Sequence, residues 1–265
     1  MSRLQATFDR LRTTARPGLV IYVTAGDPDI ETSGQILKAI ARAGADVIEV
    51  GVPFSDPIAD GPVIQRASER ALAAGGGLGP TLDLLERLRP ATGPPIVLFT
   101  YVNPVWRMGL EPFAARAAAV GVDGVLLLDL PIEEADEART VLDRHGLDLI
   151  FLVSPTTSAA RLRRAGQLGR GFVYAISRLG VTGMRDRLPE SAAPLVGRAR
   201  EATGLPIALG FGISTPCQVA EVTRFADAAV VGSAVVQVVA DAAAAGEDVA
   251  GSVERFVGSL RGAMT

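Results

Sequence analysis

Short apolar runs rich in β-branched residues recur eight times along this chain, with helix-period stretches between them. The runs are Leu19–Thr24, Val47–Gly51, Ile96–Tyr101, Gly124–Asp129, Leu149–Val153, Phe172–Ser177, Ile207–Gly210 and Ala228–Gly232. Amphipathic stretches occupy Ile30–Arg42, Leu110–Val120, Ile132–His145, Ala159–Leu168 and Pro194–Thr203. Strands this short and this apolar belong in a parallel sheet covered by helices. Eight of them favour a closed (β/α)₈ TIM barrel over an open doubly wound sheet. No G-x-G-x-x-G follows the first strand, which lowers the dinucleotide-binding alternative. The 265 residues fit one such domain, since these barrels run to roughly 250 residues. The expected fold is therefore a single α/β barrel over residues 1–265, with an N-terminal helix and an extra helix after strand two.

Scarcities limit the chemistry. Lys38 is the only lysine, His145 the only histidine and Cys217 the only cysteine. Lys38 falls mid-helix, where it could not form the strand-end Schiff base of an aldolase. His145 precedes Gly146 at a helix C-terminus, a dipole-complementing position on the face opposite a barrel's active site. Multi-histidine and multi-thiolate metal sites and an internal disulfide are excluded, which leaves carboxylates, hydroxyls and backbone amides to act. A net charge of −3 gives no reason to expect nucleic acid or an anionic membrane. The N-terminus carries Leu4, Phe8 and Leu11 on one helical stripe without the apolar run of a signal peptide. Together with the lack of any spanning apolar segment, this points to the cytoplasm.

Barrel chemistry sits in the loops at the C-terminal ends of the strands. The segment VIEVGVPFSDPIADGP is the richest of these. Strand alternation puts Val47, Glu49 and Gly51 inside, and Ile48 and Val50 under the helices. A carboxyl inside a barrel resists ionisation, which suits proton transfer near neutral pH; the competing reading is a buried charge paired to an arginine. Asp56 and Asp60 follow in a proline-stiffened loop, and Asp60 fits either a working carboxylate or the cap of the next helix. Asp129 ends strand four facing inward and reads equally as a structural acid tied to backbone amides. The glycine run Gly75–Pro80 lies between two helices and reads as a hinge. After strands six, seven and eight come SRLGVTG, GFGIS and GSAVV, whose small residues expose helix-start N–H groups to an anion.

The run IEVGVPFSDPIADGPVIQRA, followed in order by NPV, DLPIEE, SRLGVTG, GFGIS and GSAVV, resembles the tryptophan synthase alpha subunit along essentially the whole chain. The resemblance implies a lyase that splits indole-3-glycerol phosphate into indole and glyceraldehyde 3-phosphate without a cofactor of its own. It puts the proton shuttle on Glu49 and the indole N–H acceptor on Asp60. Tyr174 falls near the indole, Thr182 in a mobile loop, and Gly183, Gly212, Gly232 and Ser233 at the phosphate. It also implies a pyridoxal-phosphate β subunit, an α₂β₂ complex, and docking through Pro53–Asp56 and Tyr101–Pro104. Two departures stand out: Tyr22 where many relatives carry phenylalanine, and the arginine-rich MRDRLPESA after VTG. Two rival readings remain: a barrel acting mainly as allosteric activator of its partner, and another phosphate-handling isomerase.

Overall fold

In the computed structural model, which describes residues 1–88, 93–176, 189–210 and 212–264, eight parallel strands close into a barrel in sequence order. They are β1 (Gly18–Thr24), β2 (Val47–Gly51), β3 (Ile96–Thr100), β4 (Gly124–Leu127), β5 (Asp148–Val153), β6 (Val173–Ile176), β7 (Ile207–Gly210) and β8 (Ala228–Val231). The ring is closed by β1 pairing with both β2 and β8. Each expected strand is present, although most ends move by a residue or two. The fourth strand stops at Leu127, so Asp129 lies in a turn and is exposed rather than directed into the barrel.

Twelve α-helices are described. The first, α1 (Arg3–Thr13), is capped by the Ser2 hydroxyl and lays Leu4, Phe8 and Leu11 into the barrel's lower end. There Phe8 meets Phe172 with ring centroids 5.3 Å apart. The crossover helix α2 (Ile30–Arg42) matches its expected span and carries Lys38 on its exposed face. After β2 come α3 (Pro62–Ala73) and α4 (Leu78–Leu88). Only the first half of the glycine run joins them, since α4 already begins at Leu78 within it, and Gly75 lies at φ +84°, a region that favours glycine. After β3 come α5 (Val102–Met108) and α6 (Leu110–Ala119). The helix expected from Ile132 to His145 is split into a single 3₁₀ turn (Ile132–Glu134) and α7 (Asp136–Arg144). The remaining helices are α8 (Ala159–Leu168), α9 (Ala192–Thr203), α10 (Pro216–Val222), α11 (Ser233–Ala245) and α12 (Val249–Gly262).

Two apolar layers result from strand alternation. Ile48 and Val50 join the large core between strands and helices, whereas Val20, Val47, Val97, Leu126 and Ile150 fill the barrel with the α1 side chains. The lower face is tied by acids at strand starts. Asp46, Asp123 and Asp227 accept the N–H groups of Leu19, Ile96 and Ile207 at 3.0, 2.8 and 2.8 Å. Each also holds an arginine: Arg3 on Asp123, Arg200 on Asp227, and both Arg16 and Arg261 on Asp46. Asp46 thus joins the end of α12 and the α1–β1 connection to the barrel. The His145 ring lies on this face, 2.8 Å from Glu111.

Removing Asp46 strands two arginines and a backbone N–H, so Asp46→Ala should cost about 2–4 kcal/mol of unfolding free energy. Because the site is at the end of the barrel away from the strand C-termini, kcat/KM should stay within about twofold. Urea titration and steady-state assay of the same preparation check both.

Candidate active site

At the strand C-termini the interior changes from aliphatic to aromatic and acidic. Tyr22 on β1 pairs in register with Glu49 on β2, which pairs in turn with Val97 on β3. Two residues further along β3, Phe99 meets the Tyr22 ring edge-on, with centroids 5.1 Å apart, and lies 6.4 Å from Tyr174 of β6. Glycines make room for these rings. A Cβ at Gly51 would fall 2.1 Å from the Tyr22 hydroxyl, and one at Gly210 would fall 2.4 Å from the Tyr174 hydroxyl. The upper barrel interior is therefore lined by rings set at angles to one another, beside the Glu49 carboxyl.

That carboxyl is Glu49, 0% exposed and, among the described residues, with no hydrogen-bond partner for either oxygen. Burial alone raises its pKa to about 8. Among the described residues no arginine contributes, so none of them realises the paired-charge reading. With no donor to stabilise the anion, the acid is neutral at pH 7.

Asp60 arrives from the loop between β2 and α3. The cap position of α3 is Gly61, with no side-chain cap bond, so Asp60 does not cap the helix. Its carboxylate instead accepts the Tyr101 hydroxyl at 3.0 Å. Burial raises the Asp60 pKa to about 6 while the Tyr101 bond works in the opposite direction. Asp56 is exposed and bonded to its neighbour Ser55. Asp129 takes the structural role, accepting the Val102 N–H at the start of α5 at 2.7 Å.

The expected phosphate loops divide. Gly212 sits at φ +80° after β7, where a side chain would be strained. Gly232 is the N-cap of α11 and Ser233 its first residue, with no side chain capping the first-turn N–H groups. Such a terminus suits an anion. Thr182 and Gly183, with Gly180, lie outside the described residues. Sequence reasoning did not single out Tyr101 and Phe99 as site residues. Both share the parity of Val97 along IVLFTY, and that period-two signal could have found them.

A closed β/α barrel with two buried carboxyls at the C-terminal ends of its strands places the chain among the (β/α)₈ barrels. Comparison narrows the class. A family described as tryptophan synthase alpha chain matches residues 8–265. The tryptophan synthase alpha chain of Geobacter sulfurreducens is 50% identical over 264 residues, spanning 100% of this chain and 99% of its own. That of Acidiphilium cryptum is 50% identical over 252 residues, spanning 95% and 90%. The crystal structure of tryptophan synthase subunit alpha from Legionella pneumophila superposes with a TM-score of 0.92 at 38% identity, covering 100% and 98% of the two chains. The chain belongs to the tryptophan synthase alpha chain family. It is thus a lyase of tryptophan biosynthesis, and the family's cleavage of indole-3-glycerol phosphate takes precedence over the activator-only reading.

The Glu49 shift has a sign that stability can read. A folded-state pKa raised from 4.5 to about 8 favours the fold while the group is protonated, and that advantage fades as pH rises from about 4.5 to about 8. Between pH 5 and 7.5 it should amount to a loss on the order of 3 kcal/mol. Glu49→Gln should flatten this part of the pH dependence, and urea unfolding at the two pH values measures it. An unchanged slope would show that Glu49 ionises freely.

Proposed function

We propose that Glu49 and Asp60 divide the proton work of the retro-aldol cleavage of indole-3-glycerol phosphate. The complete burial of Glu49 without a partner carries this reading, because it keeps a carboxylic acid protonated at working pH. Protonated Glu49 delivers its proton to the indole ring carbon that bears the glycerol chain. The ring nitrogen becomes cationic, and ionised Asp60 accepts its N–H and offsets the charge. Glu49, now a carboxylate, takes the proton from the adjacent glycerol hydroxyl. The C–C bond breaks, its electron pair returns to the ring, and indole and glyceraldehyde 3-phosphate result, with Glu49 protonated again. The protonated ring is the electron sink, so the steps balance with carboxylates alone.

Binding is assigned to the groups around the two acids. Tyr174, with Tyr22 and Phe99, forms the aromatic wall for indole. The N–H groups of Gly212, Gly232 and Ser233 take the phosphate, and Thr182 and Gly183 join them by family resemblance. The partner is a tryptophan synthase β subunit in an α₂β₂ complex, in the cytoplasm, with pyridoxal phosphate held by that subunit only. Exposed Ile58 and Trp106 support docking at the mouth. So does the groove lined by Pro53, Phe54, Pro104 and Met108.

The competent form needs Glu49 protonated, below about 8, and Asp60 ionised, above about 6. kcat/KM should therefore follow a bell with limbs near those values. Glu49→Gln should lower cleavage by about 10²–10⁴-fold while a substrate analogue still binds. Turnover above a tenth of wild type would sink the assignment. Gly212→Val should raise KM for the phosphate substrate sharply, and unchanged calorimetric binding of glycerol phosphate would move the phosphate elsewhere.

A further inference from the structure

Asp60 rides on a loop, residues 52–61, without regular secondary structure. The helix that follows starts on Gly61 with no side-chain cap, so the helix start does not aim the carboxylate. Gln65 donates to the Asp60 main-chain oxygen at 2.9 Å, which holds the backbone and leaves the side chain's direction open. Among the described residues, the one hydrogen bond to the Asp60 carboxylate comes from Tyr101.

Tyr101 engages the loop at three points. Its hydroxyl donates to Asp60 Oδ2 at 3.0 Å and accepts the Ala59 N–H at 3.0 Å. Its ring centroid lies 5.0 Å from that of Phe54 near the loop's start. A phenol that accepts one bond has a single proton to give, and Asp60 receives it. Tyr101 is itself held where β3 gives way to α5. It is 3% exposed, its carbonyl accepts the Thr100 hydroxyl at 3.2 Å, and Asp129 accepts the next N–H, that of Val102, at 2.7 Å. Asp129 thus reaches the site indirectly, by fixing the turn that presents the phenol.

We propose that Tyr101 is the positioning residue of Asp60, its hydroxyl aiming the carboxylate at the indole nitrogen and fastening that aim to the loop. The proposal rests on Asp60 as the indole N–H acceptor. A hydroxyl donor binds a carboxylate more strongly than the neutral acid, so the bond also favours the ionised form. Among the described residues, Tyr22 from β1 and Tyr174 from β6 also feel the Asp60 charge, and Glu49 from β2 and Asp129 beside Tyr101 act on these phenols.

Tyr101→Phe keeps the ring against Phe54 and deletes only the hydroxyl. In the full-length chain, kcat/KM at pH 7 should fall about ten- to hundred-fold, the range for losing a hydrogen bond to a charged group. The acid limb of kcat/KM should move upward from about 6, so that part of the loss is recovered at pH 8. A double-mutant cycle isolates the contact. With Asp60→Asn in place, Tyr101→Phe should change the calorimetric affinity for a non-cleavable indolylalkyl phosphate by less than about twofold, against a larger loss in the wild-type background. Wild-type activity and an unmoved acid limb in Tyr101→Phe, with Asp60→Asn inactive, would overturn the proposal and leave the Asp60 assignment standing. An equal loss of affinity in both backgrounds, with no limb shift, would reduce Tyr101 to packing and also overturn it. Full activity in Asp60→Asn would remove the Asp60 reading first, and the proposal with it.

Discussion

Glu49 is fully buried inside a closed barrel, and among the described residues no protein donor reaches its oxygens. An ionised carboxylate in that setting is costly, so the fold keeps the acid neutral and stores a proton at the substrate end of β2. The surrounding arrangement serves this condition. Parallel strands close in sequence order, alternate side chains point inward, and aromatic rings rather than cations flank the acid. An arginine at Tyr22 or Phe99 would pair the charge and lower the pKa that the proposed chemistry needs.

Asp60 shows the complementary solution. It is nearly as buried by exposure, at 6%, yet it has a phenol donor and a loop address. Burial raises both carboxyls, Glu49 to about 8 and Asp60 to about 6, the separation on which the proposed division of roles rests. The difference comes from burial that is complete for Glu49 and less so for Asp60, and from the Tyr101 bond that works against the rise in Asp60. Glu49 sits on a rigid strand that offers none, whereas the Asp60 loop brings its carboxylate to Tyr101.

The two ends of the barrel divide the work. At the strand starts, acids are saturated with backbone N–H groups and arginines, an arrangement that joins α1 and α12 to the barrel. At the strand ends, one acid is unpartnered, and the α11 start has no side-chain cap.

The eight-strand plan, the inward face of Glu49 and the peripheral placement of Lys38 and His145 were legible in the sequence, because period-two alternation and helix spacing are local properties. The glycine loops after β7 and β8 were legible for the same reason. Asp60 and Asp129 were not resolved, since each stood beside a helix start or strand end and each spacing fitted two roles. Tertiary structure removed the helix-cap reading of Asp60 and gave Asp129 a backbone N–H to accept. Parallel pairing of β2 with β3 brought the end of β3 beside the β2 loop, gave Asp60 the Tyr101 hydroxyl, and left Asp129 in a turn with the Val102 N–H. Tertiary structure also explained Gly51 and Gly210 as space for tyrosine rings contributed by neighbouring strands. Local pattern determines which way a side chain faces; what it meets there depends on residues dozens of positions away, and only the closed barrel brings those into contact.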